Sequence, residues 1–452
     1  MENNNKYTKA FIVVTTLFFM WGFITVLVDS LIPRLKEIFE LSNFQAVLVQ
    51  FAFFMAYGLI SIPAGYLLSK IGYKKGMLVG LATMGIGCLL FWPAASMRIF
   101  PLFLLGYFVL AGGMTVLQVA ANPYVSVLGP EKTASSRLIL SQAFNSLGTA
   151  IAPILGAILI LSDNIKTSDE IGTLTDANKL SYYASEASAV QMPFLILASS
   201  LLLLAAFIFF FKLPNVLDKA VTGGYGKAFE NKKLVMGAFG IFVYVGAEVA
   251  IGSFLVSYFL DMGMADMIKG SEFMGNISSS LLGKGLSEVD PKGIVGAFVV
   301  FYWTGAMVGR FLGAYLTRVL APGKVLAFFG LGAIAMILVS MSTAGFVAMW
   351  SILAVGLFNS IMFPTIFTIA ISELGDYKPQ GSGILCTAIV GGAIIPPLYG
   401  FFTDQIGFKL AFFVVILCYA YIFYYGWLAR KGSTGETVNA DLKEGMEGIL
   451  DA

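Results

Sequence analysis

The stretch FIVVTTLFFMWGFITVLVDSLIP, residues 11–33, contains a single charged residue, Asp29. A bilayer core is ~30 Å thick and about 20 helical residues cross it, so this stretch is long enough to span a membrane. A charged side chain inside such a helix costs about 2.5–3.5 kcal/mol on insertion scales. Asp29 is therefore a candidate for taking up a proton or binding Na⁺. The alternative is a structural carboxylate near the helix end, wetted by the interface.

The composition of the chain predicts a polytopic membrane protein. Of its 452 residues, 58% are hydrophobic and only 12% are charged, where a soluble domain has about 25% charged residues. The cysteines Cys88, Cys386 and Cys418 lie in apolar segments, which indicates buried side chains rather than disulfides or metal ligands. The absence of histidine excludes His-based metal and triad chemistry. We therefore expect no enzyme activity, catalytic residue, metal or cofactor, and the net charge of +2 does not indicate a nucleic-acid partner.

Hydropathy predicts an all-α architecture of twelve transmembrane helices embedded in the lipid bilayer, with polar outer loops at 162–191 and 262–293. Most of the 28 Lys and Arg residues lie on the same side of the membrane as the N-terminus when the predicted spans are threaded through it. The positive-inside rule then places both termini in the cytoplasm. The expected spans are 9–33, 44–69, 76–95, 99–128, 136–161, 192–211, 234–261, 294–319, 323–343, 347–374, 382–403 and 408–429.

A polar and basic segment near the middle of the chain, KLPNVLDKAVTGGYGKAFENKK, predicts a cytoplasmic linker at residues 212–233. It would separate an N-terminal six-helix half, 1–211, from a C-terminal six-helix half, 234–431. We expect residues 432–452 to form a cytoplasmic tail.

The two predicted halves resemble each other in sequence, which indicates a duplication. MWGFITVLVDSLI (20–32) aligns with YVGAEVAIGSFLV (244–256), so that Asp29 meets Ser253. GTAIAPILG (148–156) aligns with GAIIPPLYG (392–400). Parallel repeats of this kind are the plan of transporters that bind substrate near the bilayer midplane between two halves.

Glu248 is the second carboxylate inside a predicted span, two residues after Gly246. Its place in the second half predicts a position across the cavity from Asp29, where it would take part in cation coupling. The alternative is a structural role, in which Glu248 pairs with a basic residue such as Arg310 or caps a break in the backbone.

Five amide side chains inside predicted spans form a candidate sugar site, because paired donors and acceptors suit sugar hydroxyls. Gln118 and Asn122 are four residues apart and share one helix face, and Trp21, Tyr302 and Trp303 are candidates for stacking on a sugar ring. The alternative is that the amides join helices, at typically ~0.6 kcal/mol per hydrogen bond. The candidate substrate-binding residues are Gln118, Asn122, Gln142, Asn145 and Asn359.

Six stretches in both halves are together similar to the fucose:proton symporter and glucose/galactose transporter family of the major facilitator superfamily. They are WGFITVLVDSLIP (21–33), VAANPYVSVLGPE (119–131), SQAFNSLG (141–148), YVGAEVAIGSF (244–254), GLFNSIMFPTIF (356–367) and AIVGGAIIPP (388–397). The resemblance implies an inner-membrane importer of a monosaccharide, coupled to H⁺ or Na⁺. It also implies that the essential aspartate of helix 1 is Asp29 and that the polar pair of helix 5 is Gln142 and Asn145.

One residue departs from the fucose symporter pattern. Gln118 stands where that protein has a glutamate, and an amide cannot titrate, so a proton relay through two carboxylates is not available. We therefore expect a monomeric symporter for a hexose such as glucose or galactose, working by alternating access. The alternatives are a proton symporter for fucose or N-acetylglucosamine, a sugar uniporter or efflux antiporter, and a sugar sensor that does not transport.

Overall fold

A computed structural model gives the backbone of residues 2–38, 43–160, 173–216 and 221–431. The predicted tail, 432–452, lies outside the described residues. So do the side chains of residues 2–6, 28–38, 43–44, 46–47, 154–160, 176, 180, 186–190 and 431.

The described residues form α-helices joined by short 3₁₀ turns and loops, and these ranges contain no strand. The helices are α1 (Glu2–Ile38), α2 (Asn43–Met97), α3 (Phe100–Val127), α4 (Ala134–Ile160), α5 (Asp176–Phe210), α6 (Tyr225–Glu230), α7 (Lys232–Asp261), α8 (Met264–Gly270), α9 (Glu272–Leu282), α10 (Pro291–Gly296), α11 (Val299–Val319), α12 (Pro322–Ser342), α13 (Gly345–Asn359), α14 (Met362–Ile371), α15 (Lys378–Thr387), α16 (Gly391–Ile406) and α17 (Phe408–Leu428).

Ten helical stretches of the described residues are long and apolar enough to cross a membrane. One of them, Leu48–Met97, has 50 residues and therefore the length for two crossings. Gly72 lies inside α2 with φ 80° and ψ 167°, a conformation that glycine adopts without a steric penalty, and it separates the predicted spans 44–69 and 76–95. Together with α4, which corresponds to the predicted span 136–161, these stretches are consistent with twelve helices.

The two regions predicted as polar outer loops contain more helix than hydropathy indicates. α5 begins at Asp176, well before the predicted span at 192, and the region 262–293 contains α8 and α9. Local capping explains α9, because the Ser271 side chain accepts a hydrogen bond from the Met274 N–H at 3.4 Å. Gly283, with φ 64°, ends the same helix. Hydropathy cannot detect such helices because they do not need an apolar run.

The chain divides into two compact units. The first comprises residues 1–129, 144–234 and 373–390, and the second comprises 130–143, 235–372 and 391–452. The predicted six-helix halves divide the chain by its order, and their boundaries stay a prediction.

In the first unit, α2 packs along α3 and α5. Small residues form the line of contact between α2 and α3. A Cβ on Gly113 would lie 2.5 Å from the backbone nitrogen of Met84, and one on Gly80 would lie 2.8 Å from that of Leu117. Such close backbone approach is common between membrane helices, where van der Waals packing drives association.

In the second unit, α12 packs against α17, and α13 packs against α11 and α12. Two predicted spans of the C-terminal half of the chain are interrupted. The span 347–374 is divided into α13 and α14 at Ser360 and Ile361. The span 382–403 passes through the 3₁₀ turn Ala388–Val390 before α16 begins. The first interruption places the polar groups of the candidate site.

Candidate functional site

The predicted cation residue Asp29 lies in α1, and its side chain lies outside the described residues. Its role therefore stays a prediction. Within the described ranges, no group of three or more His, Cys, Asp or Glu side chains could hold a metal ion.

Glu248 lies on α7 within a cluster of polar side chains in the second unit. The hydroxyl of Tyr244, one helical turn earlier, shares a hydrogen bond with the Glu248 carboxylate, and the positive charge of Arg310 on α11 acts on the same carboxylate. The Tyr302 hydroxyl donates to the backbone carbonyl of Glu248 at 3.4 Å. Arg310 is the basic residue that the structural alternative names, and its charge acts on Glu248. The coupling role of Glu248 and the structural alternative both stay predictions.

Arg310 also contacts the interruption between α13 and α14. Pro364 has no N–H, so the carbonyl of Ser360, four residues earlier, loses its usual helical donor. The Nε of Arg310 donates to this carbonyl at 3.3 Å. The Nη1 of Arg310 donates to the backbone carbonyl of Gln142 at 3.3 Å. One guanidinium therefore joins α11, α4 and the interrupted helix, close to the charge of Glu248.

Asn359 is the last residue of α13 and is fully buried. Its Nδ2 donates to the Tyr302 hydroxyl at 2.6 Å, and its Oδ1 accepts from the Tyr419 hydroxyl at 2.6 Å. The amide therefore joins α11, α13 and α17. This is the arrangement expected if the amide links helices and does not bind sugar. In this structure its hydrogen bonds go to tyrosines, and its assignment to sugar binding stays a prediction. Tyr302 is fully buried as well, so its ring offers no open face for stacking on a sugar.

The amides of the first unit differ from one another in their partners. Gln118 on α3 donates through Nε2 to the Tyr57 hydroxyl at 2.6 Å. Asn145 on α4 donates through Nδ2 to the Phe18 carbonyl at 2.8 Å and remains partly exposed. Gln142, three residues earlier on α4, is buried and belongs to the second unit.

Asn122 is fully buried on α3, and neither atom of its amide has a hydrogen-bond partner among the described residues. A buried polar group without a partner costs about 1–3 kcal/mol. Such a cost in a native protein requires an explanation, and a bound polar ligand or water is one. Among the predicted substrate residues, Asn122 is therefore the one whose surroundings most need a ligand.

Sequence reasoning missed three tyrosines that hold candidate residues. Tyr57 contacts Gln118, Tyr244 contacts Glu248, and Tyr419 contacts Asn359. Each lies inside an apolar span. Since a tyrosine hydroxyl in such a span has to find a partner within the protein, tyrosine inside the spans was the available signal.

Residues 10–389 match the family model of the Major Facilitator Superfamily. The chain belongs to this superfamily and is a membrane transporter, not an enzyme. The predicted fold, an all-α membrane protein with twelve helices in two six-helix halves, is confirmed.

Relatives at the level of individual proteins confirm the resemblance to the fucose and glucose/galactose branch. The chain is 48% identical over 433 residues to a glucose/galactose transporter of Brucella abortus, covering 95% of this chain and 96% of the relative. It is 35% identical over 445 residues to the L-fucose-proton symporter of Escherichia coli K12, covering 95% of each. A crystal structure of the superfamily transporter FucP in the outward conformation matches with a TM-score of 0.83 and 32% identity, covering 94% of this chain and 99% of that one.

Proposed function

We propose that this chain is a symporter that imports a hexose such as glucose or galactose together with a cation by alternating access. The observation that carries the proposal is the 48% identity to a glucose/galactose transporter over 95% of the chain. The stretches that align include both halves, so the whole transport unit is compared and not one helix.

The buried amides support a sugar as the substrate. Asn122 has a donor and an acceptor without partners among the described residues, and sugar hydroxyls both donate and accept hydrogen bonds. Gln118 lies one turn away on the same helix. We propose that the sugar is bound by the five predicted amides, Gln118, Asn122, Gln142, Asn145 and Asn359.

The intramembrane carboxylates support coupling to a cation. A simple uniporter needs no buried acid, whereas this chain has Asp29 and Glu248 inside predicted spans. We propose that Asp29 takes up H⁺ or Na⁺ and that Glu248 contributes from the second half of the chain. Binding of cation and sugar together would then favour the change between outward and inward states, because a ligand shifts an equilibrium only by its differential affinity for the two states.

The charge distribution and the family support a proposal for the location. We propose a monomer in the inner membrane, with both termini and the linker 212–233 in the cytoplasm, in accordance with the positive-inside rule. No cofactor is required beyond the coupling ion.

A second substrate class has support of its own. The fucose-proton symporter of Escherichia coli is 35% identical over nearly the full length. Gln118, which cannot titrate, weighs against the same proton relay here, and we therefore rank fucose below glucose and galactose.

Competition between sugars for uptake tests which sugar is the substrate. The purified protein in liposomes is given labelled galactose together with an excess of unlabelled glucose, galactose, fucose or N-acetylglucosamine. We expect glucose and galactose to suppress uptake and the other two to leave most of it. Stronger suppression by fucose than by unlabelled galactose would transfer the assignment to the fucose branch, and the absence of galactose uptake in every condition would contradict galactose as a substrate.

A further inference from the structure

Within the first unit, the linker is held by hydrogen bonds from two buried or half-buried side chains. The Tyr225 hydroxyl, at the start of α6, donates to the backbone carbonyl of Ile62 on α2 at 2.5 Å. The Gln380 side chain on α15 donates through Nε2 to the carbonyls of Val221 and Gly223 at 2.5 and 2.6 Å. Gln380 itself is fully buried. The linker is therefore attached both to α2 and to α15, which come from different halves of the chain.

The same region contains a direct contact between helices of the two halves. Pro123 lacks an N–H, which leaves the Val119 carbonyl on α3 without its helical donor. The Ser382 hydroxyl on α15 donates to this carbonyl at 2.8 Å. A Cβ on Gly383 would lie 2.7 Å from the Ser61 carbonyl, so the backbones of α15 and α2 are nearly in contact. Separating α15 from α2 and α3 would therefore break these contacts and expose the polar groups to water.

We infer that Tyr225 and Gln380 are positioning residues of the transport cycle. They form a linker latch, which holds α15 against α2 while the cytoplasmic end of the first unit is closed and releases it when that end opens. The inference rests on the proposed transport function, which places the linker in the cytoplasm. Neither residue needs to touch sugar or cation, because the latch acts on the step in which helices separate.

The chemistry of the latch suits a contact that forms and breaks in every cycle. Both side chains donate to backbone carbonyls. The contacts therefore depend on the backbone path of the linker and of α2, and not on the side chains of the accepting residues. Burial raises the pKa of Tyr225 to about 12, so its hydroxyl stays protonated and able to donate at physiological pH. When the end opens, water replaces the lost partners, since the net value of an intramolecular hydrogen bond is small.

A native cysteine reports the latch. Cys386 lies on α15, six residues after Gln380, and is fully buried. We would measure the rate at which N-ethylmaleimide modifies Cys386 in the purified full-length protein, using peptide mass spectrometry to separate it from Cys88 and Cys418. The variants are Tyr225→Phe, which removes one hydroxyl, and Gln380→Met, which keeps the side-chain length.

The matched control is Tyr421→Phe. The Tyr421 hydroxyl also donates to a backbone carbonyl, that of Met236 at 2.9 Å, but in the second unit. The control therefore removes the same chemical group without touching the latch. A Cys386→Ala variant confirms the assignment of the modified peptide.

We expect Tyr225→Phe to raise the modification rate of Cys386 about two- to tenfold, the range set by losing one hydrogen bond. Gln380→Met should raise it further, because two hydrogen bonds are lost, and Tyr421→Phe should leave it unchanged. If Gln380→Met does not fold, Tyr225→Phe decides alone. An unchanged rate in Tyr225→Phe, or an equal rise in the Tyr421→Phe control, would overturn the latch. Because the readout needs no sugar or ion gradient, the latch and the symport proposal can fail independently.

Discussion

Asp29 is the residue to which the proposed cycle assigns cation coupling. Replacing it by Asn keeps the size of the side chain and removes the charge. We expect Asp29→Asn to reduce the accumulation ratio of sugar to about one, because no ion gradient is then coupled, while exchange of labelled for unlabelled sugar continues. The measurement compares uphill uptake with exchange in proteoliposomes.

Asp261→Asn is the control for this substitution, since Asp261 is an exposed aspartate at the end of α7. It should leave both activities at the level of the unmodified protein. Uphill accumulation by Asp29→Asn would show that another group carries the coupling.

Arg310 and Glu248 carry opposite charges that act on each other inside the second unit. Both residues are half-buried, so removing one partner costs less than the about 3–5 kcal/mol of a fully buried pair, but it still leaves the other charge unbalanced. We expect Arg310→Gln to lower the free energy of unfolding more than the double variant Arg310→Gln/Glu248→Gln does. Thermal unfolding of the single and double variants in detergent measures this coupling. Additive effects of the two substitutions would mean that the charges are independent.

Replacing Asn122 distinguishes a sugar-binding amide from an amide that only packs between helices. We expect Asn122→Leu to raise the KM for sugar about tenfold, because a hydrogen-bonding group is lost from the bound sugar. The exposed Asn276 on α9 supplies the control, Asn276→Leu, which should not change KM. The opposite pattern, an unchanged KM with a higher melting temperature, would identify Asn122 as an unsatisfied amide with no part in sugar binding.

The sequence was sufficient to select these residues but not to give their partners. A charge or an amide in an apolar span is visible in the sequence, because its cost is local. The contacts of Asn359 with Tyr302 and Tyr419 join three helices that are far apart in the chain. No periodicity or spacing contains that information, so the interhelical hydrogen bonds of Asn359 could not be predicted from the sequence.

At the scale of helices, the packing of α2 on α3 depends on glycines at particular positions. A Cβ on Gly113 would meet the Met84 nitrogen at 2.5 Å, whereas one on the neighbouring Gly112 would find only ordinary contact, with Ile60 at 3.7 Å. We expect Gly113→Ala to destabilise the protein by about 1–3 kcal/mol through overpacking. Gly112→Ala should be neutral or stabilising by up to about 1 kcal/mol, since Ala is the better helix former.

Thermal unfolding of the two alanine variants in the same detergent tests this pair. Both glycines are buried at adjacent positions of α3. The two variants therefore make the same substitution in the same helix at nearly the same depth. Equal melting temperatures would contradict the close approach of α2 and α3.

The membrane-spanning helices were predictable because crossing a bilayer demands a long apolar run, and every such run shows in the sequence. The short helices α6, α8 and α9 were not predicted, because they form without an apolar run. Of the three, α9 has a side-chain cap, Ser271. Gly72 lies between the predicted spans 44–69 and 76–95, and its non-helical conformation inside α2 was not evident from the sequence.

At the scale of the whole molecule, duplication explains why the chain has two related sets of helices with different polar residues. Asp29 in the first half aligns with Ser253 in the second, while Glu248 has no acidic counterpart in the aligned stretch. The similarity between halves was readable from the sequence. The sequence does not show how segments of one half pack with helices of the other. In the structure, α15 and residues 130–143 each belong to a unit built mainly from the opposite half.

The most direct test of cation-coupled sugar transport is uptake of labelled glucose or galactose into proteoliposomes under an imposed Na⁺ gradient and, separately, an imposed proton gradient. We predict accumulation above the external sugar concentration with one of the two gradients, and its loss when that gradient is collapsed. The gradient that works identifies the ion that Asp29 binds. Equilibration of sugar without accumulation under either gradient would contradict symport and leave a facilitator.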